Sequence, residues 1–182
     1  MFAGNIGFAQ DIPSILKAAK ILKFEKDIHF IFIGSGSMRA WLSENIKKNG
    51  LSDSVHLFGS FPLEDMPYFY DQSDALLVSL GNKSIWSITV PGKVQSYLTS
   101  GKPILSMMDG EGSKLIKEAN AGLITSSGDY IGLSKNIKKI KSFKQRERCK
   151  MGENGKIFYN KNFTKNILME KLISLLSLEI KK

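Results

Sequence analysis

One cysteine, Cys149, is all that 182 residues contain, so an internal disulfide is excluded. Two histidines, His29 and His56, are too few for the three or four imidazoles of a histidine-built metal centre, and no cluster of metal ligands accompanies them. Long apolar runs are also missing. The longest, "FIFIG" from Phe30 and "ALLVSL" from Ala75, stop far short of the ~20 residues a spanning helix needs. At the start, "MFAGNIGFAQDIP" has no basic stretch, apolar core and small-residue cleavage site in succession, so nothing points to secretion. A metal-free chain in a reducing cytoplasm fits these absences. Acidic residues are scarce in one region only. Residues 131–182 hold 14 Lys/Arg against 4 Asp/Glu, and residues 1–130 hold 12 against 13, so a basic tail follows a neutral body.

With 42% hydrophobic and 24% charged residues, the chain has the material for one full core. Short apolar segments recur along it: "IHFIFIG" (28–34), "VHLFG" (55–59), "DALLVSL" (74–80), "KPILSM" (102–107) and "AGLIT" (121–125). Their lack of alternation predicts strands buried on both faces, as in a parallel sheet. The chain opens on what reads as the end of another strand, which predicts that a larger preceding domain is missing. Helical spacing fills the intervals. In "DIPSILKAAKILKF", Ile12, Ile15, Leu16, Ala19 and Leu22 form one stripe, with Pro13 in the first turn. "SMRAWLSENIKKNG" predicts a helix capped by Ser37 and closed by Gly50, "LEDMPYFYDQS" and "GKVQSYLTSG" two more, and "GSKLIKEANAG" one closing at Gly122. Such a βα series calls for an α/β fold, a doubly wound parallel sheet with helices on both faces. Residues 1–130 form this unit. Residues 131–182 read as three basic helices packed on the same domain, the last with Ile167, Leu168, Leu172, Leu175 and Leu176 on a stripe. Segment 81–90, "GNKSIWSITV", reads as a long loop.

Four strand-to-helix junctions carry the candidate chemistry, each with a plain structural alternative. "GNIG" (Gly4, Asn5, Ile6, Gly7) is either a tight turn or a cradle in which backbone amides approach an anion. "GSGSM" (Gly34, Ser35, Gly36) resembles the opening of a dinucleotide fingerprint. It has Ala40 and Trp41 where the third glycine would fall, which disfavours a hydride-transfer cofactor. In "VPGK", Pro91 and Gly92 turn the chain and place Lys93 in the first turn of a helix, against the macrodipole, at a cost of a few tenths to ~1 kcal/mol. A bound diphosphate would compensate; a solvent-facing lysine would tolerate the cost. In "DGEGSK" (Asp109, Gly110, Glu111, Gly112), Glu111 either favours its helix start electrostatically or holds sugar hydroxyls. In a parallel sheet these junctions gather on one edge, where open α/β folds bind ligands.

Taken together, the blocks resemble the C-terminal, nucleotide-sugar-binding half of a GT-B glycosyltransferase of the large retaining family 4, group 1. "FAGNIGFAQDIPSILKAAKIL", "IHFIFIGSGSMRAWL", "VHLFGSFPLEDMPYFYDQSDALLVSL" and "SYLTSGKPILSMMDGEGSKLIKEANAGLI" carry the likeness over residues 1 to about 126. Where much of that family has an arginine and a lysine on the donor diphosphate, this chain has Asn5 and Asp11; the hallmark glutamate pair falls on Ile88 and Ser96. Gly4, Asn5, Ile6, Gly7, Pro91, Lys93, Gly110 and Glu111 match instead the branch similar to transferases of N-acetylated amino or deoxy sugars in bacterial surface polysaccharides.

The resemblance implies donor binding by Gly4, Asn5, Gly7, Gly34, Ser35, Gly36, Pro91, Lys93, Ser96, Asp109, Gly110, Glu111 and Gly112. Ser96 would sit near the ribose, and the turn at Ser60 and Phe61 would hold the base. No catalytic residue is assigned. An NDP-sugar, UDP-linked, is the expected substrate, with no cofactor or metal, and a lipid carrier or polysaccharide the expected acceptor. The resemblance also implies an N-terminal acceptor domain that these 182 residues are not expected to include, so a separately encoded partner or a lost N-terminal half is implied and transfer by this chain alone is not expected. A sensing module or non-catalytic fragment is the competing reading. The basic tail suits peripheral contact with an anionic membrane on its cytoplasmic face, or simply a solvated surface; it lacks the interleaved aromatics of a nucleic-acid site.

Overall fold

The computed structural model describes residues 1–180; Lys181 and Lys182 of the basic tail lie outside the described residues. Its elements alternate from the start: β1 (Phe2–Ala3), α1 (Ile12–Ile21), β2 (Phe30–Ile33), α2 (Arg39–Lys48), β3 (Val55–Leu57), α3 (Met66–Asp71), β4 (Leu76–Ser79) and α4 (Ser84–Ser87). There follow α5 (Gly92–Ser100), β5 (Ile104–Met107), α6 (Glu111–Glu118), β6 (Gly122–Thr125), α7 (Tyr130–Ser142), α8 (Gln145–Asn162) and α9 (Lys165–Ile180).

Two parallel ladders, β1-β2-β3 and β4-β5-β6, make up the sheet. They meet at β1 and β4, where the Leu77 amide donates to the Met1 carbonyl at 2.7 Å and the Met1 amine donates to the Ala75 carbonyl at 2.7 Å. That pair of bonds brackets Leu76 in the parallel pattern, so the strands run β3-β2-β1-β4-β5-β6. The order reverses between β1 and β4, the position at which open α/β sheets form a ligand crevice.

Period-two geometry explains the continuous apolar runs. Along β4, Leu77 faces one layer while Leu76 and Val78 face the other; along β5, Leu105 and Met107 oppose Ile104. The first layer packs Ile12, Ile15 and Ala19 of α1, Leu42 and Ile46 of α2, and Leu133 and Ile140 of α7 against Phe30 and Phe32. The second packs Val94, Tyr97 and Leu98 of α5 with Ile116 of α6, and α8 closes over them through Phe158 and Tyr159. Both faces are covered, as the βα alternation predicts.

Local chemistry differs from expectation at three places. Ser37 does not cap α2: the cap position is Met38, whose amide is already held by the Ile6 carbonyl at 2.9 Å. Helix α6 closes at Asn120, which takes a left-handed φ of 49°, and Gly122 instead opens β6, where the Ile104 carbonyl leaves no room for a side chain. Segment 81–90 contains one helical turn, α4, rather than loop throughout. Helix α9 leaves Leu168, Leu172, Leu175 and Leu176 exposed.

Candidate functional site

Every strand-to-helix junction lies on the C-terminal edge of the sheet, and backbone bonds lace the neighbouring turns together. The Ile6 amide donates to the Ser35 carbonyl at 2.7 Å, and the Gly34 amide to the Gly59 carbonyl at 3.0 Å. The Ser79 hydroxyl reaches the Gln10 carbonyl at 2.5 Å, and the Ser127 hydroxyl the Leu80 carbonyl at 2.6 Å. Gly34, with φ 131°, lies against the Gly4 carbonyl so closely that a Cβ has no space. At Gly36, φ 146°, a Cβ would come 2.5 Å from the Asn5 side-chain oxygen. These two glycines are explained by turn-on-turn packing.

Three of the first turn's four amides are already bonded. Gly4 donates to Ile33 at 2.8 Å, Ile6 to Ser35, and buried Gly7 to the Gln10 side chain at 3.1 Å. Of Gly4 to Gly7, only the Asn5 amide has no acceptor among the described residues. An anion at this turn therefore meets one open amide rather than four.

Lys93 supplies the charge. Pro91, at φ −62°, caps α5 without a side-chain hydrogen bond, and the first-turn amides of Gly92 and Lys93 have no acceptor among the described residues. The Lys93 ammonium lies 3.9 Å from the centroid of the Phe2 ring and donates to the Asn5 carbonyl at 3.4 Å. Its stem crosses Gly4, where a Cβ would come 2.7 Å from Cε. Among the described residues no carboxylate pairs with it. Burial lowers its pKa to about 8. Lys93 is thus a partly desolvated cation at the switch point with no carboxylate partner among the described residues.

Tyr97, one helical turn on, was not singled out from sequence. Its buried hydroxyl accepts from the Ala3 amide at 3.0 Å and donates to the Ala3 carbonyl at 3.3 Å, completing the β1 edge that faces β4. Burial pushes its pKa upward. The available signal was its spacing four residues after Lys93, which puts both side chains on one helix face.

Other predicted positions are placed as follows. Phe61, 40% exposed with its ring 4.5 Å from that of Phe69, joins Ser60, Leu63 and Tyr70 around a cavity of about 390 Å³ that reaches Gly4, Asn5, Gly34 and Ser35. Ser96 is exposed and spends its hydroxyl on the Gly92 carbonyl at 3.3 Å. In the β5–α6 turn, Gly110 takes φ 84° and ψ −151°, and the Ser87 carbonyl rests on it. Asp109 accepts from the Ser127 amide at 3.3 Å, and Glu111 pairs with Lys114 at 2.6 Å. Gly112 is buried, where a Cβ would come 3.1 Å from Pro91 Cδ. The structure thus gathers Gly4, Asn5, Gly34, Ser35 and Phe61 around one cavity, and leaves Gly7, Gly36, Pro91, Ser96, the 109–112 turn and Lys93 outside its lining, with Lys93 adjoining it through Gly4 and Asn5. Among the described residues no group of three or more His, Cys, Asp or Glu is arranged to hold a metal.

The profile of the glycosyl transferases group 1 family matches residues 1–158. This chain belongs to that family. A probable glycosyltransferase, WbjE of Pseudomonas aeruginosa, is 33% identical over 144 residues, or 76% of this chain and 34% of that protein. The chain therefore spans about a third of the length of this curated relative. Among solved structures, Anabaena Alr3699/HepE in complex with UDP and glucose superposes with a TM-score of 0.80 at 15% identity, over 97% of this chain and 48% of that one. The C-terminal domain of the group 1 glycosyl transferase LpcC from Francisella tularensis gives a TM-score of 0.73 at 15% identity, over 90% of this chain and 86% of that one. The first likeness agrees with the family; the two structural ones show the fold, the Rossmann-like α/β unit of GT-B glycosyltransferases. As a group 1 glycosyltransferase domain, the chain has its open amides and its unpaired cation on the edge where a sheet of this order binds ligands. No helix among the described residues is long and apolar enough to cross a membrane.

Proposed function

We propose that this chain is the donor-binding half of a retaining family 4 glycosyltransferase that moves a sugar from a UDP-linked donor to a lipid-carrier or polysaccharide acceptor in bacterial cell-surface glycan synthesis. The observation that carries the reading is the Lys93 ammonium at the switch point, paired with no carboxylate among the described residues and 3.4 Å from the Asn5 carbonyl in the first turn. Charge develops on the leaving diphosphate during transfer, and a fixed cation with open helix amides stabilises it without a metal. The cavity beneath Phe61 and Tyr70 receives the nucleoside on this reading, and Glu111 the sugar hydroxyls. WbjE, named as a probable glycosyltransferase, and HepE, whose structure holds UDP and glucose, support the donor class.

The acceptor pocket belongs to a second domain, which half of the neighbours' length can accommodate, so transfer requires that partner. The C-terminal helices lie at an anionic membrane surface, to which each nearby Lys or Arg contributes roughly 1 kcal/mol. Calorimetric titration with UDP, GDP and their sugars tests the donor assignment: UDP binds at micromolar to millimolar strength, and Lys93→Ala weakens it. Equal UDP affinity in wild type and variant removes the diphosphate role of Lys93. A sensing module, which holds the donor without transferring it, is the second reading. Reconstitution with a separately supplied acceptor half separates the two: transfer supports the enzyme, and donor binding with no transfer supports the sensor.

A further inference from the structure

At the opposite edge of the sheet two side chains play no part in the reading above. His29 precedes β2 and His56 lies in β3, in register with Ile31. His29 Nδ1 stands 3.0 Å from His56 Nε2, and the rings stack with centroids 5.3 Å apart and planes inclined by 27°. The hydrogen bond is exposed, so the pair is reachable from solvent.

Two imidazole nitrogens this close share a single proton between two lone pairs. A cation that accepts both lone pairs replaces that arrangement with two bonds. Nitrogens at right angles around an ion, each ~2.1 Å from it, are about 3.0 Å apart, whereas a tetrahedral angle spreads them to about 3.4 Å. The hydrogen-bonded spacing is close to the right-angle value, so rotation of the two rings brings both lone pairs onto one ion with little change in the distance between the nitrogens. Tetragonal coordination by nitrogen and oxygen is the preference of Cu²⁺ and Ni²⁺.

We propose that His29 and His56 form a two-imidazole site for a tetragonal divalent transition ion, Cu²⁺ or Ni²⁺, with water completing its shell. No third protein ligand joins them among the described residues. Asp27, two positions before His29, is committed to Lys141 at 3.3 Å. Because the two ligands come from β2's entry and from β3, a bound ion ties those strands together and stabilises the native state by mass action. The site is independent of donor binding and lies away from it.

Untagged 182-residue chain titrated with NiCl₂ and CuCl₂ by calorimetry tests the proposal, together with the electron paramagnetic resonance spectrum of the copper complex. One ion binds per chain, the spectrum carries couplings from two imidazole nitrogens, and the unfolding temperature rises. His29→Asn and His56→Asn each remove one of two tethered ligands and weaken binding about a hundredfold. Cys149→Ser, which removes the exposed thiol, leaves binding unchanged. UDP titration of the same samples stays at the wild-type value, so failure here and failure of the donor reading are distinct results. Wild-type affinity in either histidine variant, or loss of binding in Cys149→Ser, overturns the site.

Discussion

The Lys93 ammonium stands 3.9 Å from the centroid of the Phe2 ring, on the strand that begins the sheet's reversal. The ring's negative face offsets part of the desolvation that lowers the lysine's pKa, but it supplies no counter-charge. The Asn5 carbonyl, which accepts from the ammonium at 3.4 Å, offsets another part, and on the proposed reading the donor's diphosphate supplies the rest.

Replacement of Lys93 by alanine therefore costs a charge-assisted contact to the diphosphate, about 1.5–3 kcal/mol, or roughly tenfold to a hundredfold in UDP affinity. Uridine, which lacks the phosphates, binds the variant and the wild type alike. Calorimetry with both ligands checks this, and an equal loss for uridine would assign Lys93 to the nucleoside instead.

The same lysine has a pH signature. Its folded-state pKa of about 8 lies below the unfolded value, through desolvation, so between about pH 8 and the ordinary lysine range the unfolded chain binds more protons than the folded one. Stability of the ligand-free protein consequently rises with pH across that window, while UDP affinity falls as the ammonium is lost. Urea unfolding and UDP titration at successive pH values are expected to move in opposite directions, and Lys93→Met is expected to flatten both trends.

Much of this architecture was legible in the sequence because buried parallel strands leave uninterrupted apolar runs. Leu76, Leu77 and Val78 are apolar in succession since alternate residues serve the two helix layers. Lys93 was legible for a different reason, as a cation at a helix start that opposes the dipole. What the sequence did not disclose depends on neighbours distant along the chain. The spending of the Gly4 and Ile6 amides on Ile33 and Ser35 is one case. Another is Tyr97, whose hydroxyl is polar but whose partner, Ala3, lies 94 residues away.

Tyr97→Phe deletes that hydroxyl and leaves the Ala3 amide and carbonyl buried without a partner, which costs about 1–3 kcal/mol. Because Tyr97 holds α5 against β1, the substitution also loosens the seat of Lys93 and lowers UDP affinity severalfold. Urea midpoints and UDP titration measured together check it; a destabilised variant with wild-type affinity would show that α5 is placed by packing alone.

Gly34→Ala places a methyl group against the Gly4 carbonyl at a φ of 131°, where an L-residue is already strained. Backbone has to move, and the expected loss is about 2–4 kcal/mol. Gly92→Ala is the control, since nothing lies within 4 Å of its Cβ position. Thermal unfolding of the two variants should differ widely, and similar melting temperatures would count against close packing of the two turns.

Glu111 offers a test that separates structure from ligand. Its carboxylate is exposed and pairs with Lys114 at 2.6 Å, an arrangement that solvent screening leaves weak on a helix surface. Glu111→Gln keeps the side chain's shape and removes its charge, so stability should change little. If the carboxylate accepts hydrogen bonds from the donor's sugar hydroxyls, affinity for a UDP-sugar falls about tenfold while affinity for UDP stays constant. Parallel titrations with UDP and with UDP-sugars decide the matter. An unchanged ratio between them would leave Glu111 as the companion of a helix N-terminus, and would move the search for the sugar's partners to the turn around Asn5.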